Sequence, residues 1–242
     1  MQLENKVAVV TGASSGIGKA IVKKLSEKGC RVVLASRSLD KLKVIKAGLK
    51  GETMVVELDV TDSESVSKAF EKINNEFGKV DILVNNAGVM PLTYLKNEHL
   101  EEWLKTIDVN VKGVLRCMQA VLPGMIDRKD GHIVNIASID GKEFYKGGAV
   151  YSASKAAIIA LSRAMRLEVS SEYNIRVTCI EPGTVDTDLR GDISDKEFEK
   201  NQDWDDNEAK LKPEEIADGI LYALSQPESV NVNELLITPT RA

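Results

Sequence analysis

Val7-Ala8-Val9-Val10-Thr11-Gly12-Ala13-Ser14-Ser15-Gly16-Ile17-Gly18 reads as a buried strand that turns through glycines straight into a helix running to about Lys28. Four small apolar residues in a row fit a strand covered on both faces. Glycines after it let the backbone take positive φ and let amide donors approach an anion at the helix N-terminus, where the macrodipole favours negative charge. The spacing Gly-x3-Gly-x-Gly departs from the commoner Gly-x-Gly-x-x-Gly. Taken alone, the stretch is therefore either a dinucleotide cradle or a structural tight turn.

Outward from this turn, short β-branched runs alternate with longer amphipathic stretches, the pattern of parallel strands joined by helices. Strands are predicted near 6–11, 31–35, 53–58, 81–85, 131–137, 175–180 and 234–238. Thr61-Asp62-Ser63-Glu64 reads as a capping box with Thr61 as the cap, opening a helix that reaches Phe77 and stops at Gly78. The same alternation would suit an eight-fold barrel. Seven strands and a glycine-rich turn after the first favour instead an α/β, single-domain, Rossmann-type doubly wound parallel seven-stranded sheet, with helices on both faces and its ligand at the carboxyl edge. No repeat or low-complexity linker divides the chain, so residues 1–242 are expected to form one domain.

The sole long irregular stretch runs from Pro182 to about Lys212. Between Asp186 and Lys212 it carries ten acids against five bases, as a solvated face or a substrate lid would. A substrate-binding loop is expected at 183–212.

Composition narrows the function. The 242 residues carry 32 Lys plus Arg against 37 Asp plus Glu, a net charge of −5 with a pI near 5.3. That is the wrong sign for a nucleic-acid binder. Cys30, Cys117 and Cys179 stand far apart, and His99 and His132 have no partners at ligand spacing, so neither a disulfide framework nor a metal site is expected. No apolar run approaches the roughly 18 residues of a membrane span, and the first strand starts too early for a signal peptide. A cytoplasmic protein is expected.

At the end of the second strand, where a carboxylate usually grips the adenosine ribose, the chain reads Ala35-Ser36-Arg37-Ser38. Arg37 can pair with a 2′-phosphate, and Ser36 or Ser14 can donate to it, so NADP(H) is preferred over NAD(H). An arginine merely covering the sheet edge is the other reading. Asp59, with Val60 beside it, could meet the adenine. Further on, Tyr151 and Lys155 stand four apart in an apolar-patterned helix and so share a face. An ammonium beside a phenol would lower its pKa, a two-unit drop requiring roughly 2.7 kcal/mol. The alternative is an ordinary helix surface.

Taken together, the first-turn glycines, Asn85-Asn86-Ala87-Gly88, Asn110, Ser138, Tyr-x-x-x-Lys at 151–155 and Pro182-Gly183 make the chain resemble the short-chain dehydrogenase/reductase family over nearly its whole length. The resemblance implies that Tyr151 is the general acid/base, Lys155 its modulator and the holder of the nicotinamide ribose, and Ser138 the donor to the developing alkoxide. Asn110 would distort its helix and hold a water relayed to Lys155. Gly12, Ser14, Ser15, Gly16, Ile17 and Gly18 would cradle the pyrophosphate, Asn86, Ala87 and Gly88 would wall the adenine ribose, and Pro182, Gly183, Thr184, Val185 and Thr187 would cover the nicotinamide.

The implied activity is NADP(H)-dependent interconversion of a carbonyl and a secondary alcohol on a small substrate, in a homodimer or homotetramer pairing through the Tyr151 helix and the one before it. The ending Val230–Thr240 resembles that of relatives acting on serine, other 3-hydroxy acids or aldehydes. A strongly anionic substrate is disfavoured by the acidic loop unless Arg190 or Lys142 offsets it. A non-catalytic NADP(H)-binding regulator is the alternative, and an intact Ser, Tyr and Lys argues against it. Epimerase or dehydratase chemistry on sugar nucleotides would normally need a longer chain. Met90, Asp140, Phe144 and Tyr145 are positional candidates for the substrate wall, while Trp103 and Met118 are expected in the core or an interface.

Overall fold

The computed structural model describes residues 3–191, 193–201 and 209–240. Strands β1 (Val7–Thr11), β2 (Arg31–Ser36), β3 (Thr53–Glu57), β4 (Ile82–Asn85), β5 (Gly131–Ile136), β6 (Ile175–Pro182) and β7 (Glu234–Ile237) form one sheet. Their order is β3-β2-β1-β4-β5-β6-β7, every pairing is parallel, and each strand falls where the sequence predicts it to within about two residues. The largest difference is β6, which continues to Pro182 because Glu181 and Pro182 pair with Leu236 and Ile237.

Strand residues alternate between two cores, as the period of two requires. Val7 and Val9 join the layer that includes Phe70, Ile73, Val114 and Ile158. Ala8 and Val10 face the other, with Ile21, Leu25, Leu42 and Ile216. Helices α1 (Gly16–Glu27), α2 (Leu39–Ala47) and α8 (Pro213–Ser225) cover the second layer, and α3 (Ser63–Phe77), α5 (Gly113–Arg128) and α6 (Ala149–Tyr173) cover the first. The short α4 (Leu100–Ile107) precedes α5. Strand order reverses between β1 and β4, so a crevice opens at their carboxyl ends, where an open α/β sheet binds its ligand.

Two local expectations are corrected. Asp62, not Thr61, caps α3: its carboxylate accepts from Glu64 N at 2.9 Å. Thr61 is drawn backwards instead, its hydroxyl donating to Asp59 Oδ1 at 2.7 Å, so the helix starts one residue late. Gly78 ends it in the left-handed region at φ 76°, as expected.

The stretch from Pro182 to Lys212 is not uniformly irregular. A 3-10 turn spans Asp188–Arg190, a short helix α7 spans Lys196–Asn201, and Val185 bridges to Leu211. Residues 192 and 202–208 of the expected loop lie outside the described residues. Phe198 is fully buried, its ring edge-on to Tyr94 at 5.2 Å and packed on Gly147, where φ is +84° and a Cβ would overlap the ring. Asp195 fastens the same place by accepting from Tyr94 N at 2.9 Å, Asn97 Nδ2 at 2.9 Å and Phe198 N at 3.0 Å. Burial of one aromatic offsets the ordering of a polar segment that shows no hydrophobic period.

The three cysteines are free and buried, with thiols pushed up to about 12 chiefly by burial. His132 is a core residue, its Nε2 2.8 Å from the Thr178 hydroxyl. Met118 is buried in the core, and Trp103 donates to the Thr93 hydroxyl at 2.7 Å.

Asp81, just before β4, is the buried charge on which strand pairing at the amino edge turns. It accepts from Val7 N at 2.8 Å and pairs with Lys79 at 2.7 Å and Lys6 at 3.7 Å. Asp81→Ala leaves that amide without an acceptor and is expected to lower stability by about 2–3 kcal/mol, read as an earlier urea midpoint at unchanged slope. An unmoved midpoint would contradict this account.

Candidate active site

The turn after β1 is stitched to the end of β4. Thr11 Oγ1 accepts from both Asn86 N and Ala87 N at 3.0 Å, and Asn86 Nδ2 donates to Thr11 O at 2.9 Å and Gly12 O at 3.2 Å. Gly12 and Gly16 take φ values of +63° and +48°, conformations that cost other residues strain. A Cβ at Gly18 would overlap Gly12 O and the Asn86 amide, so α1 can approach its own loop only with glycine there. The result is an open, amide-lined cradle at a helix N-terminus, the shape and polarity a pyrophosphate needs.

The cradle opens into a cavity of about 690 Å³. Every candidate coenzyme and catalytic residue named above lines it except Gly18 and Asn110, which support it from behind. Leu58, Leu92 and Lys210 line it too and carry no sequence signal. Lys210 arrives through the pairing of its neighbour Leu211 with Val185.

At one end Ser36 is buried and Arg37 exposed. Asp59 Oδ1 accepts from Thr61 N at 2.9 Å and Thr61 Oγ1 at 2.7 Å. Burial raises this carboxyl's pKa, but the Thr61 bonds and the nearby Arg37 and Arg116 charges more than offset it and hold it below the ordinary aspartate value.

At the other end three side chains from two elements converge. Ser138 follows β5 by two residues and caps the 3-10 turn Ile139–Gly141, its hydroxyl accepting from Asp140 N at 3.1 Å. Tyr151 and Lys155 lie one turn apart near the start of α6, both buried. Lys155 Nζ donates to Ile136 O at 2.9 Å and stands 5.6 Å from the centre of the Tyr151 ring. Burial lowers the Lys155 pKa to about 8.

The expected lowering of the phenol pKa is corrected. Burial, then the Asp140 charge, push Tyr151 well above the ordinary tyrosine value, with a hydrogen bond to Ser138 opposing them. The ammonium is tied to a backbone carbonyl, and desolvation prevails. The phenol is protonated at neutral pH, as a free tyrosine is, and holds its proton more tightly.

Asn110 lies in a π-helical turn, Asp108–Lys112, the distortion the resemblance implies. Its side chain is committed: Oδ1 accepts from Val89 N at 2.9 Å, and Nδ2 donates to Val89 O at 2.9 Å and Ser154 Oγ at 3.0 Å. The side-chain amide therefore has no donor left for a relayed water, and any such water would have to use the backbone of the turn. A Cβ on Gly88 would come within 3.4 Å of Asn110 Oδ1 and 3.8 Å of Lys155 Nζ, so these three meet at one point.

Of the substrate-wall candidates, Met90, Asp140 and Tyr145 line the cavity. Phe144 does not: it is 74% exposed. Lys142 is spent on Glu181 at 2.6 Å and Glu234 at 3.3 Å and does not offset the acidic loop, whereas Arg190 lines the cavity. Glu234 is also held by Arg163 at 2.6 Å and Arg166 at 3.2 Å, with its carboxyl pushed down to about 2, led by the Arg163 hydrogen bond.

Comparison with known proteins identifies the family and its solved relatives. The family model of short chain dehydrogenases matches residues 6–198. An uncharacterized oxidoreductase of Staphylococcus saprophyticus is 43% identical over 240 residues, covering 98% of this chain and 97% of the relative. Among solved structures, the closed form of a serine dehydrogenase complexed with NADP+ superposes with a TM-score of 0.88 at 32% identity, covering 96% of this chain and 94% of that one. An alcohol dehydrogenase from the archaeon Thermococcus sibiricus, complexed with 5-hydroxy-NADP, gives 0.84 at 34% identity, covering 97% and 96%.

Proposed function

Because this chain belongs to the short-chain dehydrogenase family, we propose that it is an NADP(H)-dependent oxidoreductase interconverting a carbonyl and a secondary alcohol on a small substrate. The observation that carries this reading is the meeting of Ser138, Tyr151 and Lys155 on one wall of a cavity continuous with the glycine cradle.

The residues present fit the coenzyme. Gly12, Gly16 and Gly18 let the turn close against Asn86, Ala87 and Thr187 as no Cβ would allow, with Gly12 and Gly16 lining the cavity; the end of β2 is followed by Arg37 rather than a carboxylate, and Pro182 to Val185 with Thr187 wall the far end. Solved relatives carry NADP or its derivative, which supports the choice made by Ser36 and Arg37. When bound, the coenzyme supplies or accepts the hydride.

The chain's own part is position and field. Ser138 donates to the substrate oxygen and stabilises the charge that develops there. Tyr151 delivers its proton to that oxygen in reduction, and in oxidation the same phenolate takes it back. Lys155, with a pKa of about 8, holds a positive charge beside the phenolate that forms. The Asn110 side chain fixes Val89 and Ser154, and so keeps α5 and α6 in register around Gly88 and Lys155. Residues 183–212 serve as the substrate-binding loop, supported by Arg190 and Lys210 on the cavity wall.

A cytoplasmic homodimer or homotetramer completes the reading. Among the described residues no helix is long and apolar enough to cross a membrane, and Leu115 on α5 and Leu167 on α6, 44% and 84% exposed, offer apolar surface to a second copy. Sedimentation is expected to give at least twice the 26.5 kDa of one chain, and a monomer would refute the pairing.

For Tyr151→Phe, turnover is expected to fall at least about 100-fold with NADPH binding nearly intact, since general acid–base catalysis is worth that much. Retained turnover, measured by NADPH absorbance against a ketone and aldehyde panel, would remove the role. For Arg37→Glu, the ratio of kcat/KM for NADPH to that for NADH is expected to move toward NADH through repulsion of the 2′-phosphate. An unchanged ratio would give the recognition to another residue.

A further inference from the structure

Arg116 uses every nitrogen of its guanidinium. Placed on α5 three residues after Gly113, it donates from Nε to Ser63 Oγ at 3.2 Å, from Nη1 to Val60 O at 3.0 Å and from Nη2 to Asp108 Oδ1 at 3.1 Å. Its side chain is 21% exposed. The three acceptors belong to three segments: the start of α3, the corner between β3 and α3, and the π-helical turn before α5. A planar fork can serve three directions at fixed angles, which the single ammonium of a lysine cannot.

The corner needs a hold from outside. β3 is the last strand on its side of the sheet, and after Leu58 N has donated to Ser36 O at 3.1 Å the chain leaves the ladder. Bonds within the corner are local. Asp62 N donates to Asp59 O at 3.2 Å, Asp59 N to Ser65 Oγ at 3.0 Å, and Thr61 N and Oγ1 to Asp59 Oδ1. They fix the corner's shape but not its distance from the opposite wall, and that distance is set from α5. Gly113 lets the helix approach, since a Cβ there would come within 2.8 Å of Val60 Cγ2, and Arg116 draws Val60 O onto the same helix. Val60, Ala87, Val109 and Gly113 then close round a void too small for water. Asp59, Val60 and Val109 line the large cavity, so the arginine joins two of its walls, one carried by the corner and one by the π turn. Arg116 itself does not line it.

We propose that Arg116 is a positioning residue for the adenine of the coenzyme: by holding the β3–α3 corner against the π turn, it sets the separation at which Asp59 and Val60 clasp the base. This rests on the coenzyme reading of the cavity and adds to it a residue that never touches the coenzyme. Asp59 spends Oδ1 on Thr61, which leaves Oδ2 to accept from the exocyclic amine of adenine, with Val60 against the ring. Hydrogen bonds weaken steeply with distance and angle, so a corner free to drift by about 1 Å loses that bond. The glycine cradle and the Ser138, Tyr151 and Lys155 end, held by other contacts, keep theirs.

The test titrates the purified protein with NADPH and with reduced nicotinamide hypoxanthine dinucleotide phosphate, whose base carries a carbonyl in place of the adenine amine. Fluorescence of the dihydronicotinamide, common to both, reports binding. The wild type is expected to bind NADPH at least about 10-fold more tightly, because the Asp59 carboxylate accepts from the amine and repels the carbonyl. Arg116→Met keeps the stem and removes the fork. It is expected to weaken NADPH by at least about fivefold and to leave the hypoxanthine analogue within about twofold, so that most of the preference disappears. Arg116→Lys, a milder change that restores the charge alone, is expected to behave like Arg116→Met. An undiminished preference in Arg116→Met, or its recovery by lysine, would overturn the proposal. So would an equal loss of affinity for both ligands, the mark of a general loosening, or a wild type that binds the two alike; each of these leaves the coenzyme reading intact. A wild type that binds neither ligand would overturn the coenzyme reading and the proposal with it.

Discussion

The Thr11 hydroxyl, taking the amides of Asn86 and Ala87 while the Asn86 side chain donates back to Thr11 and Gly12, holds together the two strands between which the chain reverses its winding. A crevice forms at such a switch point because neighbouring loops leave in opposite directions, and nothing in the strand pairing alone keeps its two lips at a fixed separation. These four hydrogen bonds do. They set the glycine cradle against the end of β4, and Gly88, Asn110 and Lys155 are then brought to their meeting point by the chain that follows.

Desolvation governs the chemistry of the deep end. Burial acts on Tyr151 and Lys155 in opposite electrostatic senses, favouring the neutral form of each. The phenol stays a proton carrier and the ammonium stays close to release of its own proton. The walls therefore make the phenol hold its proton more tightly, and the Ser138 hydrogen bond opposes that shift only in part.

The strands, their order and the cradle were legible because each rests on local signals: β-branched runs, glycine spacing, and the change of period between strand and helix. The cavity residues were legible for the same reason, since the motifs stand at carboxyl ends of strands. Three things were not. The cap of α3 went to Asp62 because Asp59, a neighbour in space, claimed Thr61. The short helix α7 is held by Phe198 and Asp195 through contacts with residues about fifty to a hundred positions earlier, which no window along the chain contains. Tyr151 titrates against expectation because pairing with Lys155 could be read from spacing, whereas burial and the Ile136 carbonyl belong to the folded state alone.

Phe198 and Asp195 have a consequence for anyone reshaping this protein. They rivet the segment after β6 to the segments before α4 and before α6, through Tyr94, Asn97 and Gly147. The described parts of these segments are therefore fastened to one another near the cavity. A loop transplanted from a relative to alter selectivity would need its counterpart across the opening transplanted with it, and a library that randomises one side alone samples mostly mismatched halves.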